Sequence, residues 1–135
     1  MSFDTEVRVY FEDTDFSGRV YHGAFIRFLE RGRTELLRAS GLDHAALAAL
    51  TPPIYFTLRR IDVQFHGPAV IDDLLRVTTT PIEAGRANFL LRQEISVGER
   101  RIVSAVADLC LIDPRGRPQR PPADVRAALS PAPQG

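Results

Sequence analysis

EDTDFSGRVYHGAFIRFLERGRTELLRASG, residues 12–41, sets two patterns of different period end to end. The first ten residues are polar and turn-forming, with Glu12, Asp13 and Asp15 crowded together and Gly18 close behind. From about residue 22 the apolar positions Phe25, Phe28, Leu29, Leu36 and Leu37 fall at helical spacing, which predicts a long helix with one buried face. The middle of that apolar stripe is Gly32. A mid-helix glycine costs roughly 1 kcal/mol against alanine, so its expected purpose is close packing onto a sheet. Ser40-Gly41 is a stop signal, with Gly41 suited to a left-handed cap.

Upstream, residues 3 to 11 alternate. Phe3, Thr5, Val7, Val9 and Phe11 share one side and Asp4, Glu6, Arg8 and Tyr10 the other, a half-buried strand. Downstream, Asp43 caps a short helix, HAALAAL, that ends before Pro52-Pro53. Strands follow. Ile54, Phe56 and Leu58 keep one phase and Ile61, Val63 and Phe65 the other, so a bulge is expected at Arg59-Arg60. Turn signals then separate LLRVTTT, RANFLLRQEISV and RRIVSAVADLCLI. The last of these is apolar on both faces over Val103 to Leu111, the pattern of a strand covered on both sides.

One strand, one long helix, a short helix and at least four antiparallel strands predict an α+β fold with the long helix lying across one sheet. The whole chain, 1–135, reads as a single domain with a proline-rich tail from about 114 and one helical turn near Asp124 to Leu129. The sheet's other face needs cover, and a second copy of the chain is its expected source.

Composition narrows the chemistry. At 135 residues, 44% hydrophobic and a formal net charge of zero, the chain can bury a core of its own. No run of about 18 apolar residues exists to span a membrane, and MSFDTEVRV has no leader pattern. The single cysteine, Cys110, lies mid-strand in an apolar run, so inert core is its expected role and the cytoplasm the expected compartment. All 17 basic residues are arginine, which removes lysine Schiff-base chemistry and the P-loop lysine. Those arginines are spread along the chain and balanced by acids, so no nucleic-acid footprint is present. Asp13, Asp15 and His22 lack a further ligand cluster for a metal, and Ser17 stands in no nucleophile elbow.

The stretch Tyr10-x-x-Asp13-Thr14-Asp15-x-x-Gly18-x-Val20-Tyr21-His22 resembles the signature of hotdog-fold acyl-CoA thioesterases of the 4-hydroxybenzoyl-CoA thioesterase type, and most of all the subgroup linked to the Tol–Pal envelope system. The likeness continues through Glu30 to Glu35, Phe65-His66-Gly67-Pro68-Ala69, Asp72-Asp73-Leu74 and Pro118 to Pro122. It departs from the usual pattern at Phe16, Ser17 and Arg19. The resemblance implies a hotdog fold, homodimers often paired into tetramers, and hydrolysis of acyl-CoA without cofactor or metal. It places the catalytic carboxylate at Asp15, as base or nucleophile, and the backbone N–H of His22 at the thioester oxygen, with the His22 side chain assisting.

On its own a DTD before a helix is commonly a capping and turn segment, but what the resemblance implies fits the chemistry of the reaction. Thioester hydrolysis needs an activated water or a nucleophile, plus donors for a developing oxyanion. A helix starting near Tyr21-His22 offers free N–H groups and a positive dipole end. Gly18 lets the loop turn, and Tyr21 is expected as pocket wall. Asp13 is expected to hold the loop through backbone hydrogen bonds. For Glu30, an i,i+3 pair with Arg27 or Arg33 is the expected role. His44 is read as surface and His66 as structural. Coenzyme A needs a cationic rim, for which Arg59 with Arg60 and Arg117 with Arg120 are the candidates. The rival reading is a non-catalytic acyl-CoA or acyl-carrier binding module on the same fold.

Overall fold

A computed structural model describes residues 2–132. Five strands, β1 (Phe3–Arg8), β2 (Tyr55–Phe65), β3 (Leu74–Ala84), β4 (Asn88–Val97) and β5 (Arg100–Ile112), form one antiparallel sheet in the order β1-β3-β4-β5-β2. Helix α1 (His22–Ala39) packs on β1, β3 and β4, α2 (His44–Ala48) packs against β2, and α3 (Ala123–Ala128) follows the proline-rich segment.

Each apolar position of the α1 stripe is buried. The helix ends as its sequence predicts: Gly41 has φ +82°, its N–H donates to the Arg38 carbonyl, and the Leu42 N–H reaches back to Leu37. Asp43 caps α2 by accepting from the Ala46 N–H at 2.7 Å. In β2 the register against β5 shifts between Leu58 and Arg60, the bulge that the phase slip predicted.

Two apolar clusters sit between α1 and the sheet. One gathers Phe25, Phe28, Leu29, Leu75, Val77 and Ile95, the other Leu36, Leu37, Phe89, Leu91, Leu109 and Leu129. At the level of Gly32, between the two, lie the buried polar side chains Thr79 and Gln93. Gln93 Nε2 donates to the Leu29 carbonyl at 2.9 Å and is 3.0 Å from Thr79 Oγ1, and Gln93 Oε1 accepts from Arg33 at 3.1 Å. A polar layer of this kind is tolerated because its members are hydrogen-bonded.

Two expectations change. The first strand stops at Arg8; Phe11 to Asp13 wind into a 3₁₀ turn and Phe11 is exposed, because Asp13 caps that turn by accepting from the Tyr10 N–H at 2.8 Å. Strand β5 is buried on its α1 side at Val103, Ala105, Ala107, Leu109 and Leu111, but Val106 on the other face is exposed. That outer face carries Asp62, Gln64, Arg92, Glu94 and Arg101 and is largely polar. The helical turn expected near Asp124 to Leu129 is α3, and the proline-rich segment before it is tied to the sheet, with Gln119 N–H donating to the Leu111 carbonyl and Val125 and Leu129 buried.

Candidate active site

The loop between β1 and α1 is pinned from several sides. Thr14 bridges Val20, Arg19 bridges Val70, Val20 N–H donates to the Ala69 carbonyl at 2.9 Å, and Tyr21 N–H donates to the Asp13 carbonyl at 3.1 Å. Its tip is the turn Asp15-Phe16-Ser17-Gly18, closed by Gly18 N–H on the Asp15 carbonyl at 3.0 Å. Gly18 has φ +81°, a conformation that a side chain strains, which accounts for glycine there.

Asp15 is exposed at this tip. Its Oδ1 accepts the Ser17 hydroxyl at 2.6 Å and the Ser17 backbone N–H at 2.8 Å. These two bonds, the hydroxyl first, hold its carboxyl below the ordinary value of 3.8, and the positive charges of His22 and Arg19 act in the same direction. The carboxylate is therefore ionised at neutral pH.

Helix α1 starts at His22 with Tyr21 as N-cap, and no side chain caps it. Ala24 N–H turns back to the Tyr21 carbonyl at 3.0 Å. The N–H groups of His22 and Gly23 find no acceptor among the described residues. They form a donor pair at the positive end of an 18-residue helix, suited to an anion or a polarised carbonyl. The Tyr21 ring folds over this first turn: a Cβ on Gly23 would stand 2.5 Å from it, and the Arg27 guanidinium lies 5.6 Å from its centre.

Asp13 is buried and structural, holding the Tyr10 N–H and lying 3.7 Å from Arg27. The expected Glu30 pair is not formed. Arg27 is turned to Asp13 and Arg33 to Gln93, so neither closes an ion pair with Glu30, which stands on the rim of a second feature. This is a cleft of 310 Å³ between α1, α2 and β2, with Leu37, Phe56, Leu58, Leu91 and Leu109 in its wall and Glu30, Arg33, Thr34 and His44 among its polar groups. Burial pushes the Arg33 guanidinium below its ordinary value, opposed by Glu30, though an arginine remains charged at any physiological pH. His44 is exposed, 3.1 Å from Thr34 Oγ1. His66 Nε2 is 2.7 Å from Ser104 Oγ, and Cys110 is buried.

The sequence-predicted residues thus fall into separate groups. Asp15, Gly18, Tyr21 and His22 share the loop and helix start. Arg59 and Arg60 lie at the β2 bulge, in the middle of a sheet edge. Arg117 and Arg120 lie at the opposite end of the sheet from Asp15, where Arg117 N–H anchors to Asp113 and Arg120 lines a groove with Arg86 and Arg126. Sequence reasoning weighed Ser17 only as a nucleophile and as a departure from the motif, not as a partner of Asp15, and it passed over Gln93. The hydroxyl two places after Asp15 was a legible signal for the first; the second gives none, because a glutamine on a strand is ordinarily exposed.

A long helix laid across a five-stranded antiparallel sheet of this order is the hotdog fold. The chain belongs to the Thioesterase superfamily, whose family model matches residues 17–104. It is 34% identical over 113 residues to acyl-CoA thioester hydrolase YbgC of Escherichia coli O6:H1, covering 83% of each chain. A probable thioesterase from Bartonella henselae superposes with a TM-score of 0.89 at 39% identity, over 90% of this chain and 100% of that one. A 4-hydroxybenzoyl CoA thioesterase variant solved with 4-hydroxybenzoyl CoA shares the fold, with a TM-score of 0.86 at 20% identity over 96% and 99% of the two chains.

Proposed function

We propose that this chain is an acyl-CoA thioesterase in which Asp15 attacks the thioester carbonyl or activates a water to do so. The N–H groups of His22 and Gly23 hold the carbonyl oxygen as its negative charge develops, and the His22 side chain assists. In the water route the proton passes to the Asp15 carboxylate, the C–S bond breaks, and coenzyme A leaves as its thiol once reprotonated. The observation that carries this reading is the pairing of an ionised, exposed carboxylate with unsatisfied N–H donors at the start of the helix that follows it. The superfamily membership and the acyl-CoA hydrolase relatives support the substrate class. No cofactor enters the proposed reaction.

An exposed carboxylate at a loop tip needs a wall, and the free edge of β2 offers one. The α1-facing side of β2 leaves Leu58 38% and Phe65 52% exposed, and among the described residues no strand pairs its outer edge. Two copies pairing β2 antiparallel would place their two-fold axis near Arg60. The second copy's Tyr55 end would then face this chain's Phe65 end, beside the Ala69–Val70 segment that holds the catalytic loop. That arrangement sets the second copy's cleft and its 117–120 segment next to Asp15. It is the proposed source of the acyl pocket and of cations for the nucleotide, with dimers pairing further through the sheet's outer face. The cytoplasm is the proposed setting; an association with the Tol–Pal machinery rests on the resemblance of the opening motif alone.

Thiol release from short, long and aromatic acyl-CoAs, with wild type beside Asp15→Asn, tests the reading. A loss of about 10²- to 10⁴-fold in the variant is expected. Tight acyl-CoA binding with no turnover by wild type on any member would instead make the chain a binding module.

A further inference from the structure

Asp15 carries the proposed chemistry, yet it is a short side chain on an exposed turn, and the second torsion of an aspartate is intrinsically broad. A carboxylate free to rotate would present either oxygen, or neither, to the thioester. The backbone beneath it is fixed by Asp15 N–H on the Arg19 carbonyl at 2.9 Å and by the Gly18 closure. The carboxylate itself is held by one residue. Ser17 brings its hydroxyl and its backbone N–H to the same oxygen, Oδ1. The Arg19 N–H in turn donates to Ser17 Oγ at 3.3 Å, which occupies a lone pair of that hydroxyl and leaves its proton for Asp15. No protein donor reaches Oδ2 among the described residues.

We propose that Ser17 is the positioning residue of Asp15: it engages Oδ1 from two directions and so fixes Oδ2 as the oxygen that meets the thioester carbon or its attacking water. The proposal rests on the reading of Asp15 as the catalytic carboxylate and deepens it. Orientation of a reacting group contributes to rate directly, and a hydrogen bond to a charged acceptor strengthens once substrate displaces water. The same bonds keep the carboxylate ionised as the pH falls, with some loss of basicity. Other charged groups cannot substitute. His22 from α1 and Arg19 from the loop act at longer range, Asp13 is committed to the Tyr10 N–H and Arg27, and Asp73 on the neighbouring segment accepts from Val70 N–H.

The test uses the full chain as Ser17→Ala, Ser17→Thr and Asp15→Asn. Two readouts are taken: the pH dependence of kcat and KM on acetyl-, hexanoyl- and benzoyl-CoA, and the titration of the Asp15 carboxyl followed by NMR. Ser17→Ala is expected to move both the Asp15 titration and the acid limb of kcat to higher pH. It is also expected to lower kcat roughly fivefold at neutral pH with little change in KM, and Ser17→Thr to restore all three. An unmoved titration, or an unmoved acid limb beside an inactive Asp15→Asn, overturns the proposal and leaves the catalytic reading intact. Full activity in Asp15→Asn overturns the catalytic reading, and the proposal with it. Loss of turnover in Ser17→Ala as complete as in Asp15→Asn overturns positioning in favour of a nucleophilic serine.

Discussion

A Cβ placed on Gly32 would stand 2.6 Å from Cγ1 of Val77. Thr79 Oγ1 would follow at 2.9 Å and Gln93 Nε2 at 3.1 Å. At this point the α1 backbone approaches the side chains of β3 and β4 too closely to admit even a methyl group. Gly32→Ala gains about 1 kcal/mol of helix propensity but meets wholly buried side chains that must shift to admit the methyl group. A net destabilisation of about 1–3 kcal/mol is expected, read as a lower urea midpoint at unchanged slope. A midpoint equal to that of the wild type would show that the helix can lift away freely.

Gln93 offers a second stability test. Gln93→Leu removes the donor to the Leu29 carbonyl and the acceptor of Arg33, leaving a half-buried guanidinium unsatisfied. A loss of about 2–4 kcal/mol is expected, measured by chemical denaturation. Combining it with Arg33→Met should recover part of that loss, since the orphaned charge is then gone.

Gly18→Ala separates loop shape from loop chemistry. Nothing lies within 4 Å of the added Cβ, so the whole effect is backbone strain at φ +81°. About 1 kcal/mol of stability is expected to go, while turnover should fall by more than tenfold if the Asp15 carboxylate must be held against the helix start. Equal, small losses in both would separate the turn from the chemistry.

The proposed pairing of two copies through β2 has a solution test. The wild type is expected to elute in light scattering at twice the 15.0 kDa chain mass or at a higher multiple. Leu58→Asp on the β2 edge should shift it toward monomer and cut thioesterase turnover in parallel. A monomeric wild type at micromolar concentration with full activity would remove the second copy from the site.

Acid sensitivity has a defined sign. Asp15 and Asp113 both titrate below the ordinary 3.8, Asp113 because it accepts the Arg117 and Arg115 backbone N–H groups. A folded value below the unfolded one means that each contributes stability above pH 3.8 that is lost as pH falls through its lowered native value. Activity is therefore expected to persist down to about pH 4 before any limb due to Asp15, and Asp113→Asn should flatten the acid side of the stability curve. A limb near neutrality that survives His22→Gln would assign the base to another group.

Features governed by local period and local hydrogen bonding are legible in the chain before it folds. The α1 stripe, the Gly41 stop, the Asp43 cap and the β2 bulge each follow from residues within a few positions of one another. So does the Asp15–Gly18 turn, whose glycine is required by a backbone angle. Alternation predicts strand as far as Phe11, yet Asp13, only two places on, captures the Tyr10 N–H and winds the chain into a turn that alternation does not register. Which distant groups meet is decided only in the assembled fold. It brings Gln93 and Thr79 under Gly32, turns Arg33 away from Glu30, and sends Arg117 and Arg120 to the far end of the sheet from Asp15. The physical reason is the strand order: antiparallel pairing of β1-β3-β4-β5-β2 fixes register over tens of residues, and no local pattern encodes which end of a strand will face the loop that needs it.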